Sequence, residues 1–373
     1  MKVLHIIPRF TVGGAERLVL EYAKQLPKQD FEIRVASVRQ QKIADCGLQI
    51  ADFVECGGEE GFLKAMKRLR AVARDWQPDI IHTHIFSSDV AGYLLKRSFP
   101  EIKWISTQHN VARQHSSWRR LVLRRILRQA DGVIAVSPRV AEELGARFGL
   151  PRARTRLIFN AIALEQWLDA PAAGLLENKT LRLAAVGRLE RQKGIDRLLA
   201  ALSQLRNIDW RLSVFGAGSR ETELKDQAFQ LGIQNLITWH GVVDNLPEQL
   251  RDIDVVVLPS RWEGMSLAVM EAMAAGRVVV ASNAAGEGLI TDKGNGIIVG
   301  KEKGNGKREM GNGKREMKKL GNEGINDLVA ALQWVDVHRA EARTMAEKAR
   351  EQAREHFDIE KHFQILAGVY RER

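Results

Sequence analysis

Cysteine is almost absent from this chain: 373 residues contain only Cys46 and Cys56. So small a set excludes a disulfide framework and suits a reducing compartment with free thiols, both in a probable loop region. No apolar run approaches the roughly 18 residues that a membrane span requires. A secretory leader is missing as well. MKVLHIIPRF has one lysine and a short apolar run, then Pro8 and Arg9, with no small-residue cleavage site. No cysteine cluster has metal-ligand spacing. These absences point to a cytoplasmic protein, at most peripheral on the inner face of the plasma membrane. Acids are scarce over residues 96–156, where lysine and arginine accumulate. The chain carries a net charge of +11, from 57 basic and 46 acidic residues. A local basic surface implies an anionic partner: a membrane, a nucleic acid or a phosphate-bearing substrate.

Hydrophobic residues make up 45% of the chain, ample for packed cores, and the length suggests two domains. The first half alternates strand-like and helix-like runs. KVLHII (2–7), EIRVASV (32–38), residues 79–84, KWISTQH (103–109) and DGVIAVS (131–137) read as strands. Residues 15–26 and 61–76 read as helices, as does an arginine-rich segment over 116–130. The rhythm predicts a parallel, doubly wound sheet. It restarts at LRLAAVGRL (181–189) and runs through WRLSVFGAG (210–218), ITWHG (237–241), DVVVLP (254–259) and VVVAS (278–282), with helices over 195–205 and 221–232. A linker is expected at 161–179. GNGKREM occurs at 304–310 and again at 311–317, which reads as a tandem duplication in a tolerant surface loop.

Between DVVVLP and VVVAS lies EGMSLAVMEAMAAG (263–276). It places Glu263 and Glu271 eight residues apart, at the start and middle of an expected apolar helix. At about 100° per residue, the two carboxylates fall on neighbouring faces. Backbone N–H groups at such an end can take an anion, and the carboxylates can accept from sugar hydroxyls. On spacing alone, two ordinary helix acids are the better explanation of the pattern. The apolar setting of Glu271 speaks for a partner, because an unpaired buried acid is costly.

The segments VGRLERQKGIDRLL (186–199), VFGAGSRETEL (214–224), WHGVV (239–243), VLPSRWEGMSLAVMEAMAAG (257–276) and VVVAS follow in order, with PRFTVGGAE (8–16) upstream. Together they resemble the retaining GT-B glycosyltransferases of family 4 over almost the whole chain. The resemblance implies an α/β GT-B fold: two facing Rossmann-like domains with a cleft between them and a C-terminal helix crossing back to the N-terminal domain. The expected bounds are 1–165 for the acceptor-side domain, 166–352 for the nucleotide-sugar domain and 353–373 for the terminal helix. The implied activity is metal-independent transfer of a sugar, with retention, from a nucleoside-diphosphate sugar to a lipid-linked or glycan acceptor. No cofactor and no metal are implied. Glu271 would hold the ribose hydroxyls, and Glu263 would sit near the transferred sugar. Arg188 and Lys193 match the basic pair on the diphosphate, and His109 matches a histidine near the reacting centre. Gly13 and Gly14 match the glycine loop beside the donor phosphates. Gly216, Gly264, Met265 and Ser266 complete the donor-binding set. NAAGEGLI (283–290) departs from the family pattern, which has a glycine pair followed by Pro-Glu.

His84 ends the strand DIIHTH on the acceptor side, where open α/β sheets place ligands. His82 points to the same side, but the sequence shows no third ligand with metal spacing. Asp252-Ile-Asp254 reads as a strand-edge turn and not as a metal–diphosphate signature. Gly216 and Gly218 lack the third glycine of a dinucleotide fingerprint, since position 221 is glutamate. In residues 116–130, Trp118, Val122, Leu123, Ile126 and Leu127 share one half of a helical wheel. Arg120, Arg124, Arg125 and Arg128 share the other. That arrangement fits a helix packed on the sheet with a solvated arginine face and, equally, peripheral contact with anionic lipid through Trp118, Arg120 and Arg124, which is the expectation taken forward. Two alternatives remain: a GT-B nucleotide-sugar enzyme that is not a transferase, such as an epimerase, and a basic nucleic-acid-binding protein. No RNA-binding signature or aromatic platform supports the latter.

Overall fold

The computed structural model describes residues 1–8, 14–26, 30–39, 53–56, 61–109, 117–168, 176–300 and 313–372. The chain divides into two units: residues 1–161 with 359–373, and residues 162–358.

The first unit holds a seven-stranded sheet. Its strands are β1 (Lys2–Ile7), β2 (Glu32–Ser37), β3 (Phe53–Glu55), β4 (Ile80–His84), β5 (Lys103–Gln108), β6 (Gly132–Ala135) and β7 (Thr155–Leu157), in the order β3-β2-β1-β4-β5-β6-β7. Every pairing is parallel. The second unit repeats the plan with β8 (Leu181–Val186), β9 (Trp210–Phe215), β10 (Ile237–Gly241), β11 (Val255–Leu258), β12 (Val278–Ser282) and β13 (Ile297–Val299), ordered β10-β9-β8-β11-β12-β13. In both sheets the order reverses beside the first strand of the unit, the switch point where open α/β sheets bind ligands. Central strands buried on both faces read as continuous aliphatic runs. Val255–Leu258 is buried at every position for this reason.

Most expected elements are present within a residue or two. Several went unread. Helix Phe86–Ser98 crosses β4 and β5 at Gly92, where a Cβ would come within 2.6 Å of both Thr83 Cγ2 and Trp104 Nε1. A glycine inside a helix lowers its apparent propensity, yet here it permits the close packing. Helix Pro138–Phe148 carries a full set of end signals. Ser137 Oγ accepts from the Val140 N–H, Pro138 opens the helix, and Gly149 closes it in the left-handed conformation.

Four expectations need correction. The helix expected at 263–276 runs over Leu267–Ala274, so Glu263 lies in the loop before it. The second GNGKREM copy is not all loop, because helix Gly313–Val337 begins within it; residues 301–312 lie outside the described set. The terminal segment 353–373 is not one helix. Helix Arg339–His356 ends there, and a new helix, Ile359–Arg371, belongs to the first unit. Cys56 does not sit in an open loop. It follows β3 directly and is fully buried, which pushes its thiol up to about 11. Cys46 and the 169–174 part of the linker lie outside the described residues.

Candidate active site

In the second unit, two loops at the C-terminal ends of neighbouring strands carry the expected donor residues. One follows β8 and leads to helix Ile195–Leu202; the other follows β11 and leads to helix Leu267–Ala274. They are stitched together. The Arg261 N–H donates to Gln192 O at 2.7 Å, and Gln192 Nε2 donates to Trp262 O at 2.9 Å. The Arg261 guanidinium grips Asp196 at 2.8 and 2.5 Å. Gly194 makes the closest approach. With φ at 70°, it sits where a Cβ would meet Pro259 O at 2.2 Å.

This frame brings Lys193 Nζ to 2.6 Å from Glu263 Oε1, with both side chains largely buried. Gln192 Nε2 adds a bond to Glu263 Oε2 at 3.3 Å, and Arg188 reaches Gln192 Oε1 at 3.5 Å. Three of the sequence-read residues, Arg188, Lys193 and Glu263, therefore share one hydrogen-bonded cluster. Gln192 joins them and was not singled out from sequence. Glu271 is buried on helix Leu267–Ala274, whose remaining inward residues are apolar. Ser266 precedes that helix. Its Oγ is buried and has no hydrogen-bond partner among the described residues. Met265 is buried beside it and Gly264 is half-buried. Gly216, with φ at 127°, approaches the protein's own backbone: a Cβ there would lie 2.1 Å from Gly187 O. Gly14 opens helix Gly14–Gln25 in the first unit, and Gly13 lies outside the described residues.

The first unit assembles a histidine cluster. Parallel register sets His5 beside His82 across β1 and β4, and His84 beside Thr107 across β4 and β5. Because strand side chains alternate, His5, His82, His84 and Thr107 share one face of the sheet. His109 continues that face just beyond β5. Helix Ile359–Arg371 adds buried His362 and Tyr370. His84 Nδ1 lies 3.0 Å from His109 Nε2, and His84 Nε2 lies 3.1 Å from His5 Nδ1. Burial holds these rings neutral. It lowers His5 and His109 to about 3 and His362 to about 4, and drives His82 and His84 well below the usual range. The sequence showed no third partner for His82 and His84, but register supplies His5. Ring nitrogens of these three lie within 4.8 Å of one another, close enough for a small ion to bridge. Each of the six nitrogens already has a hydrogen-bond partner.

Residues 180–309 match the model described as glycosyl transferases group 1, and residues 12–166 match that of glycosyltransferase family 4. The chain belongs to the group 1 glycosyltransferases of the GT-B fold. A glycogen synthase of Mycobacterium tuberculosis is 32% identical over 244 residues, 61% of this chain and 58% of that protein. The match thus spans somewhat over half of that relative's length. Two solved structures share the fold: sucrose-phosphate synthase from Thermosynechococcus elongatus and Anabaena HepE in complex with UDP and glucose. The first has a TM-score of 0.80 at 22% identity and covers 100% of this chain and 98% of its own. The second has a TM-score of 0.81 at 20% identity and covers 99% of each chain.

In this group 1 glycosyltransferase, Asp254 of the D-x-D sequence has a structural task. Its carboxylate is fully buried and accepts from the N–H groups of Leu176 and Arg182 and from the Arg182 guanidinium. The family member also buries Arg277 completely, with its guanidinium donating to the carbonyls of Ala275, Arg251 and Ile253. On the opposite face of the first sheet from the histidines, Asp89 accepts from Thr83, Ser106 and Gln108, and burial raises it to about 6. No local sequence signal marks Arg277 or Asp89 as buried charges.

The basic helix spans Ser117–Ile126 and only partly follows its wheel. Leu123, Ile126 and Leu127 are buried in the unit, while Trp118 and Leu121 stand exposed beside Arg119, Arg124 and Arg125. The expected apolar face is therefore split. Its inner part packs on the protein, and Leu121, which the wheel left out of pattern, joins Trp118 outside.

Proposed function

We propose that the protein transfers a sugar, with retention of configuration, from a nucleoside-diphosphate sugar to a lipid-linked or glycan acceptor, without a metal or cofactor. The buried Lys193–Glu263 pair at the 2.6 Å spacing, with Arg188 beside it, supports this reading most strongly. Cleavage of a sugar–diphosphate bond leaves negative charge on the departing phosphate. Lys193 and Arg188 supply fixed positive charge at that place, and fixed charge in a partly buried site stabilises developing charge strongly. Glu263 holds Lys193 in position before the donor arrives and faces the moving sugar. Glu271 accepts from the ribose hydroxyls, and Ser266 Oγ gives a buried hydroxyl to the same ligand. The acceptor attacks from the face the diphosphate leaves, so no enzyme nucleophile is needed. Within the first unit, His109 is the candidate for the reacting centre and His84 for the acceptor side.

A thermal-shift panel of uridine, guanosine and adenosine diphosphate sugars tests the reading. A ligand at 100 times its Kd stabilises by about 2.7 kcal/mol. No shift with any of them removes the donor site. A second reading concerns where the acceptor is met. Exposed Trp118 and Leu121, rimmed by arginines, fit the headgroup layer of an anionic membrane. Liposome flotation that ignores anionic lipid content, and ignores Trp118→Ser, rejects it.

A further inference from the structure

The buried histidines form one continuous hydrogen-bonded chain. From its inner end it runs Thr107 Oγ1 to His82 Nε2 (2.7 Å), His82 Nδ1 to Tyr370 Oη (2.5 Å), and Tyr370 Oη to His5 Nε2 (3.4 Å). It continues from His5 Nδ1 to His84 Nε2 (3.1 Å) and from His84 Nδ1 to His109 Nε2 (3.0 Å). His109 Nδ1 has no partner among the described residues. Every ring in the chain is buried, so no water relaxes its choice of tautomer.

A neutral imidazole has one N–H and one bare nitrogen. Every link needs one donor and one acceptor, and each ring passes its polarity to the next; a hydroxyl can accept twice, so Tyr370 transmits polarity only while its own proton is used. Three states fill every link: all four histidines protonated on Nδ1, all four on Nε2, or His82 on Nδ1 with His5, His84 and His109 on Nε2, in which Tyr370 Oη accepts from both sides and its own proton has no acceptor among the described residues. The Nε2 state makes Thr107 Oγ1 an acceptor and leaves its own proton without an acceptor among the described residues. The Nδ1 state pairs every internal donor. Thr107 donates to His82, His82 to Tyr370, Tyr370 to His5, His5 to His84, and His84 to His109. Burying a hydroxyl with its proton unpaired is unfavourable, which selects this direction.

We infer that Thr107, His82, Tyr370, His5 and His84 are positioning residues that lock His109 in the Nδ1–H tautomer, so that it presents a hydrogen-bond donor outward and cannot act as a base. The inference rests on the proposed transfer only for what His109 donates to, namely an oxygen of the sugar donor or acceptor. The tautomer itself is independent of activity. A neighbouring pair shows the same logic at smaller scale. The Phe159 carbonyl can only accept, so His362 carries its proton on Nδ1, and Tyr22 donates to His362 Nε2.

Long-range ¹H–¹⁵N correlation on the full chain labelled at histidine reads the tautomers directly. His5, His82, His84 and His109 are expected to share pyrrole-type Nδ1 and pyridine-type Nε2. Any one of them in the Nε2–H form overturns the inference. Thr107→Val removes the donor that sets the direction. His109 should then become a mixture of tautomers, and kcat should fall at least fivefold while donor Kd stays within twofold. Thr107→Ser should restore the single tautomer. Tyr370→Phe, which cuts the chain between His82 and His5, carries the same test if Thr107→Val does not fold. An unchanged His109 signature in the cut chain also overturns the inference. Absence of transfer from every nucleotide sugar would defeat the proposed function and leave the tautomer result standing.

Discussion

Acidification from pH 7.5 to pH 5 should unfold the first unit far more steeply than its carboxylates alone would. His5, His82, His84, His109 and His362 have their folded-state pKa values lowered by burial, to about 3 or 4 where values apply. In the unfolded chain each returns to about 6.5. As the pH falls through 6.5 the unfolded state takes up protons that the folded state refuses, and stability is lost. At pH 5 each ring contributes a loss of about 2 kcal/mol relative to pH 7.5, or about 10 kcal/mol for the set. Asp89 acts in the opposite sense. Its folded pKa of about 6 exceeds the ordinary aspartate value of 3.8, so the folded state holds the extra proton between those limits. That returns about 1.4 kcal/mol on acidification to pH 5. The net loss of about 9 kcal/mol matches the whole stability of a typical domain, roughly 5–15 kcal/mol. Pulse proteolysis in urea, with fragments assigned by mass spectrometry, separates the first unit from the second. The expected slope near pH 5 is about four protons, or roughly 5–6 kcal/mol per pH unit. His362→Gln should lower it by about one proton. A wild-type slope of one proton or less would show that the rings are hydrated or already charged in the folded state, refuting the reasoning.

Glu271→Ala should weaken binding of the nucleotide-sugar donor about tenfold to a hundredfold, as expected for lost hydrogen bonds to a charged acceptor; calorimetry showing an unchanged Kd would take ribose away from Glu271. Lys193→Met should reduce kcat by about 10²–10³, and a loss under threefold in steady-state assays would place the diphosphate elsewhere. Arg277→Met leaves three carbonyls without their donor, so urea unfolding of the second unit should register a cost of about 2–4 kcal/mol. No measurable cost would mean that water replaces the guanidinium.

The strands and the two donor loops were legible because each signal is local. VVVL and VVVAS are continuous aliphatic runs, which parallel strands buried on both faces require. GRLERQKG joins a strand to a helix within a few residues, so Arg188 and Lys193 could be placed on one turn without knowing the fold. Glu263 was placed one turn too far into its helix because the periodicity of LAVMEAMA extends back through apolar Met265. The break comes at Ser266, whose backbone is extended. The histidine cluster fails locality altogether. Alternation along DIIHTH puts His82 and His84 on one face, while Thr107 went unread; by the same geometry it shares a face with His109. Whether those faces coincide, and whether His5 joins them, depends on strand order and register across β1, β4 and β5. Tyr370 is further still, 288 residues from the His82 it meets. Residues that act through such a chain show no motif, because each link constrains its partner's ring position and leaves the intervening sequence free. The polar groups that decide the state of His109 are thus the ones a single sequence hides best.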